Sequence, residues 1–340
     1  MYKRFFEMLV LLLALSLVAC GASSSEGRGL PEPLLVWSWW EGEEAAVLEE
    51  LFKQFMVIYP EVVIIHSPKP LFETVDQEGL GEAFFSDAQI GLGPDLLIGR
   101  SIWIPTLVEQ GLIKALSDRN IDTSAYLSTS VEASSYQGKL YGVPLSLHTS
   151  VLYYNKNLVD EPPETLDLLF FQVFEGKKIA IPTNFYMAFW GIQAFGGRLF
   201  DPEGRLVLDQ GGFANWLSWL KNAQNEPNVI LGANPDPLAD LFKQGEVAYY
   251  VGLTGELRGL RAALGEDVVG VAPLPAGPAD SAGPLLEADA MMINAASSPT
   301  QTEWALRLME FLTSNEQQRK LLARQASRIP ANTRVTVDPR

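Results

Sequence analysis

The chain is 340 residues long, 47% hydrophobic and acidic, with 41 Asp and Glu against 25 Lys and Arg. That length accommodates two domains with cores of their own, and the charge balance matches neither nucleic acid nor an anionic membrane surface. A single cysteine, Cys20, and two isolated histidines, His66 and His148, exclude a disulfide framework and a Cys-type zinc site.

Lys3 and Arg4 precede an apolar run over residues 8–19, too short for a bilayer span, which takes about 20 residues. The run ends in Leu17-Val18-Ala19-Cys20-Gly21, the small residues of a cleavage site. It resembles the lipobox of bacterial lipoproteins. That resemblance implies a signal peptide over residues 1–19, acylation of Cys20, and anchoring to the outer face of the cell membrane. A plain secretory signal is the alternative, but the sole cysteine stands where the lipid attaches, which leaves no thiol for nucleophilic chemistry. Residues 20–33, polar and rich in Gly, Ser and Pro, are expected to form a flexible tether.

Leu34-Leu35-Val36-Trp37-Ser38-Trp39 has the composition of a strand, and Leu48, Leu51, Phe52 and Phe55 fall at helical spacing before Pro60. Val62-Val63-Ile64-Ile65 follows as a second apolar strand, which makes a βαβ unit and calls for a parallel sheet covered by helices. Residues 71–88 are expected to be helical, then Gly93-Pro94-Asp95 turns into a third strand at Leu96-Leu97-Ile98-Gly99. A short helix over 102–110 closes at Gly111.

In residues 136–155, Val143, Leu145 and Leu147 alternate with Pro144, Ser146 and His148, after which Val151-Leu152-Tyr153-Tyr154-Asn155 is apolar throughout. Pro144 argues for an edge or a crossing rather than a central ladder position. Two readings fit this segment: a strand that leaves one lobe for another, or a hairpin inside one domain. Beyond it, Lys178-Ile179-Ala180-Ile181 is a strand, and Pro182-Thr183-Asn184 opens the helix that carries Tyr186, Phe189 and Trp190. Asp236 with Pro237 starts another helix, Val247-Ala248-Tyr249-Tyr250-Val251 is a strand, and Thr254 caps the helix after it. Strands over 268–271 and 290–293 precede two capping boxes, Ser298 to Gln301 and Ser314 to Gln317.

Taken in order, several segments resemble the extracellular solute-binding proteins of ABC importers, specifically the maltose-binding-protein-like sugar group. They are the lipobox, Val36-Trp37-Ser38-Trp39-Trp40, Gly93-Pro94-Asp95-Leu96-Leu97-Ile98, residues 136–155, Lys156-Asn157-Leu158, Gly245-Glu246-Val247-Ala248, Ile293-Asn294-Ala295-Ala296-Ser297 and Phe311-Leu312-Thr313-Ser314. The resemblance implies an α/β, two-lobed periplasmic-binding-protein-like fold, each lobe a mixed, mostly parallel sheet flanked by helices. Lobe 1 is expected over 34–146 plus 275–328 and lobe 2 over 147–274 plus 329–340, with hinges at 145–149 and 273–276. Two departures stand out: the region 163–179 is shorter than usual, and the chain given stops at Arg340, where many members continue through helices that help wall the cleft.

Trp39-Trp40-Glu41 stands at the carboxyl end of the first strand, where open parallel sheets place their ligands. Indole faces pack on sugar rings and Glu41 accepts hydroxyl hydrogen bonds, but adjacent residues of a strand face opposite ways, so at most one of Trp39 and Trp40 reaches the cleft. Arg100, Ser101 and Trp103 follow the third strand, and Arg100 offers a fork of donors. The resemblance aligns His148 with a ligand-contacting polar position and Tyr186 with a stacking tyrosine; Glu256, beside Thr254, opens a helix where the family's usual aromatic is missing. Core packing for the tryptophans, a surface role for Arg100 and a structural role for His148 are the alternatives.

No G-x-S-x-G elbow, P-loop or G-x-G-x-x-G after a strand is present, so no enzyme, metal or cofactor is expected. The expectation is a monomeric, lipid-anchored receptor that captures a small solute, a mono- or oligosaccharide, and delivers it to an ABC transporter permease. A polyamine held by carboxylates and tryptophan faces is the alternative ligand. A sensing or adhesion lipoprotein and an extracellular hydrolase are the other classes.

Overall fold

The computed structural model describes residues 32–71, 79–119, 121–201, 203–208, 211–324 and 328–335. The signal peptide, Cys20, nearly all of the tether and part of the expected helix over 71–88 lie outside the described residues. Among the described residues no helix is long and apolar enough to cross a membrane.

The first lobe opens with β1 (Leu34–Ser38), α1 (Gly42–Ile58), β2 (Ile64–Pro68), α2 (Leu80–Gln89) and β3 (Leu96–Arg100). Short helices α3 (Ile104–Glu109) and α4 (Ser128–Ala133), a two-stranded ribbon of β4 (Ser135–Tyr136) and β5 (Lys139–Leu140), and β6 (Gly142–His148) follow. Helix α1 buries Leu48, Leu51, Phe52 and Phe55, the face that its 3.6-residue period sets. The chain then enters a second sheet. Its elements are β7 (Ser150–Asn155), α5 (Leu166–Phe174), β8 (Ile179–Pro182), α6 (Phe185–Ala188), α7 (Trp190–Ala194), α8 (Gly212–Ala223), β9 (Val229–Gly232), α9 (Pro235–Lys243), β10 (Tyr249–Leu253), α10 (Leu257–Leu264) and β11 (Val269–Ala272). Residues 273–286 lead back to the first lobe, where β12 (Glu287–Ile293), α11 (Pro299–Thr313), α12 (Asn315–Arg324) and β13 (Ile329–Pro330) complete it.

The first sheet has the order β13-β6-β12-β3-β1-β2 and the second β11-β7-β10-β8-β9. In the first, β12 and β13 run against the other strands; in the second, β7 does. Apolar residues pack on both faces of each sheet, and no core cluster mixes the two: Leu34, Phe52, Ile98 and Leu308 share one core, whereas Leu152, Ile181, Trp190 and Trp216 share another. Two separately packed halves follow from the pattern itself, because strands covered on both faces read as apolar runs.

Residues 136–155 cross between lobes: β6 belongs to one sheet, β7 to the other, and Thr149 alone separates them. The hairpin reading is thereby excluded. At this joint the Thr149 amide donates to Thr254 Oγ1 at 3.4 Å. Pro144 lies on an interior strand rather than an edge. The ladder tolerates it because the β6–β12 register shifts at Asp289 and Ala290, and β13 spans only Ser146 and Leu147 on the other side.

Three expectations need correction. Ile329 and Pro330 pair with Leu147 and Ser146 of β6, so this stretch belongs to the first lobe; residues 336–340 lie outside the described chain. Residues 276–283 pack on the second lobe, with Ala276 beside Thr165 and the Gly283 amide donating to the Trp190 carbonyl. The helix expected to start at Asp236 starts at Pro235, because Asn234 supplies the cap by accepting from the Asp236 amide.

Candidate functional site

The carboxyl ends of β1, β3 and β6 and the amino end of β12 lie together at one end of the first sheet, and the carboxyl ends of β8, β9 and β10 face them from the second. On the first lobe the centre of this surface is Asp289, 1% exposed in its side chain. Its Oδ1 accepts from Trp39 Nε1 at 2.8 Å; its Oδ2 accepts from Trp40 Nε1 at 3.1 Å, from Arg328 Nη1 at 2.7 Å and from the Ser146 hydroxyl. Burial alone raises a carboxyl pKa, but the charges of His148 and Arg328 and the hydrogen bonds from His148 and Ser146 outweigh it and hold Asp289 well below the usual carboxylate range.

Arg328, with a side chain 4% exposed, lies over both indoles, its guanidinium carbon 4.5 Å from each ring centroid. Its remaining donors go to Glu44 of α1, Nε at 3.3 Å and Nη2 to the other carboxylate oxygen. His148 Nε2 lies 3.0 Å from Asp289 Oδ2 and 2.8 Å from Arg328 Nη1. Arginine only donates, so a proton on Nε2 serves Asp289 and a lone pair there serves Arg328; one ring nitrogen satisfies one partner at a time.

A second group joins the lobes. Arg100 at the end of β3 grips Glu287 of β12 with two bonds, Nε to Oε2 at 2.8 Å and Nη2 to Oε1 at 2.6 Å. Tyr186 of α6, on the other lobe, lies close enough to the same carboxylate that burial together with the Glu287 charge raises the Tyr186 pKa. Closer to the rim, Arg258 Nη1 of α10 meets Glu43 Oε2 of α1 at 2.7 Å. The two lobes are therefore apposed, with polar side chains of each bonded to the other.

The residues that sequence analysis singled out divide as follows. Trp39, His148, Arg100 and Tyr186 lie on this surface, and Glu41 is exposed at the amino end of α1. Trp40 is 0% exposed: its indole N–H belongs to Asp289 and its ring packs in the first core, so it is no wall of the cleft. Trp103 packs against the other face of the sheet, over Gly99 and Gly81, where glycine leaves room for the indole; a Cβ on Gly99 would stand 2.7 Å from the ring. Glu256 turns inward, accepting from the Leu253 amide at 2.7 Å and the Tyr250 hydroxyl at 2.9 Å, and so closes a helix start rather than offering itself to a ligand. Thr254 makes no side-chain cap; the Glu256 bond does that work.

Sequence reasoning missed Glu287, Asp289, Arg328, Glu44 and the Glu43–Arg258 pair. For the first two a signal existed: Glu287-Ala288-Asp289-Ala290 alternates, which puts two carboxylates on one face of a strand that is otherwise apolar. Nothing local marks Arg328, whose partners lie 39 and 284 positions away. Among the described residues no group of three or more His, Cys, Asp or Glu is arranged to hold a metal ion.

Two independently cored α/β lobes, joined by crossing segments and meeting through side chains at the carboxyl ends of their strands, define the two-lobed binding-protein fold. The chain belongs to the bacterial extracellular solute-binding protein family, which matches residues 72–339. It is 30% identical over 179 residues to the maltotriose-binding protein of Pyrococcus abyssi, a match that covers 50% of this chain and 38% of that protein, so it spans well under half of that relative. Two solved structures share the fold with a TM-score of 0.77. One is a cyclo/maltodextrin-binding protein complexed with maltotetraose, at 24% identity and covering 92% of this chain and 82% of that one. The other is the GacH receptor of Streptomyces glaucescens, solved unliganded and with acarbose, at 22% identity and covering 90% and 82%.

Proposed function

We propose that this chain is the solute receptor of an ABC importer, that it takes a maltodextrin-type oligosaccharide between its lobes, and that a lipid on Cys20 tethers it to the outer face of the membrane. The observation that carries the ligand reading is the grouping around Glu287: Arg100 of the first lobe bonds its carboxylate and Tyr186 of the second lies close to it, on the same surface as the half-buried indole of Trp39. A flat apolar ring next to a charged fork, a carboxylate and a phenol suits a sugar, whose rings stack and whose hydroxyls both donate and accept.

Charge pairing favours a neutral ligand over a polyamine. Glu287 pairs with Arg100, and Asp289 and Glu44 share Arg328, so a cation entering here meets carboxylates that already have hydrogen-bonded partners. Ligand bound between the lobes replaces part of the Tyr186–Glu287 contact and adds its own, which shifts the population toward closure to the extent that it binds the closed form better.

Calorimetric titration with maltose through maltotetraose, galactooligosaccharides and spermidine tests this directly. The expected result is saturable binding of the maltodextrins and none of spermidine. Heat with spermidine alone would overturn the assignment, as would silence across the whole sugar panel.

A further inference from the structure

We propose that Arg328 and Asp289 are positioning residues that fix the Trp39 indole as the sugar-stacking platform, an inference that rests on the reading of the cleft as a sugar site. Neither offers itself to a ligand, because their side chains are only 4% and 1% exposed. Asp289 accepts from Trp39, Trp40, Ser146 and Arg328, and Arg328 donates to Asp289 and to both oxygens of Glu44. What they determine is the attitude of the ring. Trp39 lies just beyond the end of β1, where no ladder holds the chain; besides apolar packing and the His148 ring at 5.8 Å, two polar contacts orient its indole. Its N–H is tied in the ring plane to Asp289 Oδ1 at 2.8 Å, and one ring face is covered by the guanidinium at 4.5 Å. An in-plane tie and a covered face together leave only the opposite face for a sugar ring.

The arrangement is costly unless it does something, because a buried arginine and a buried aspartate must each be fully paired to offset lost hydration. Trp40, its ring also 4.5 Å from the guanidinium carbon and its N–H on Oδ2, adds to the backing. Arg328 is also continuous with Ile329 and Pro330, which pair with β6 one residue before the crossing to the second lobe. The platform is therefore fastened to the strand about which the lobes rotate.

The test uses the whole protein with maltotriose as the probe, in R328M, R328K, D289N, W39F and the W39F/R328M double variant. R328M and D289N are expected to lose at least tenfold in affinity, and R328K, which keeps the charge but not the fork, to fall between. In the W39F background R328M is expected to cost no more than about twofold further, because the residue through which it acts is already gone. Equal losses in both backgrounds overturn the proposal. A ligand-free measurement decides the matter even if maltotriose does not bind: the near-UV circular dichroism difference between wild type and W39F isolates the Trp39 ring. That difference should collapse when taken between R328M and W39F/R328M. A difference that survives unchanged shows that Arg328 does not orient the indole, whereas failure of wild type to bind any sugar counts against the cleft assignment alone.

Discussion

Replacing Tyr186 by Phe removes a single hydroxyl, and with it the polar contact that the second lobe makes near Glu287 of the first. A net polar contact contributes about 1 kcal/mol, and Tyr186 is partly exposed, so the full value of a buried charged bond does not apply. At about 1.4 kcal/mol per decade, the ligand-free balance between closed and open forms moves roughly fivefold toward open. The other cross-lobe pair, Glu43–Arg258, cannot compensate: its side chains are 81% and 43% exposed, and pairs of this kind contribute about 0–1 kcal/mol. Small-angle scattering of the unliganded protein reads the change as a larger radius of gyration in Y186F. The melting temperature stays nearly constant, because neither core includes the phenol oxygen. Superimposable curves for the two proteins would refute the assignment of this hydroxyl as a closure contact. Tyr186→Ala should in addition weaken maltotriose binding by about 1–3 kcal/mol, through loss of the ring itself.

Two further outcomes concern the first lobe. His66, bonded through Nε2 to the Ser38 hydroxyl at 2.8 Å, is pushed by burial from 6.5 down to about 4, against the opposing pull of Glu49. A lowered histidine pKa means that the unfolded chain takes up the proton first, so stability is intact above about 6.5 and falls as pH drops toward 4, by up to about 3 kcal/mol. Denaturation by urea across that window should show the loss in wild type and a flatter profile in His66→Gln; parallel profiles would contradict it. Gly99→Ala places a methyl 2.7 Å from the Trp103 ring, and the crowding should destabilise the first lobe by about 1–3 kcal/mol in the same assay, with an effect below about 0.5 kcal/mol counting against the packing described.

The fold was legible where the physics is local. Helix α1, the capping box at Ser298 and the change of character between β6 and β7 all follow from side-chain periodicity and cap chemistry, which act within one turn or one strand. The site was half legible. Arg100 was accessible as a residue at a strand end and Tyr186 only through the family resemblance, whereas Glu287, the partner of Arg100, stands 187 positions from it. Trp40 and Glu256 misled for a common reason: a polar or amphipathic residue next to a cleft reads as a ligand contact until its own hydrogen bond is known, and both bond inward. The place of Ile329 and Pro330 was misread because two residues carry no period, and only the pairing with β6 assigns them.

The second lobe is one continuous stretch inserted into the first, whose central strand β12 arrives only after that insertion and slots between β3 and β6. Until residue 293 has left the ribosome, the leading half of the chain holds β1, β2 and β3 but no partner to join them to β6. The usual order, in which the leading domain matures first during synthesis, is therefore reversed, and nearly the whole polypeptide must exist before the lobe that begins it can close. For a chain expected to be threaded through a membrane before use, this order leaves its first sheet without its joining strand until residue 293 is made.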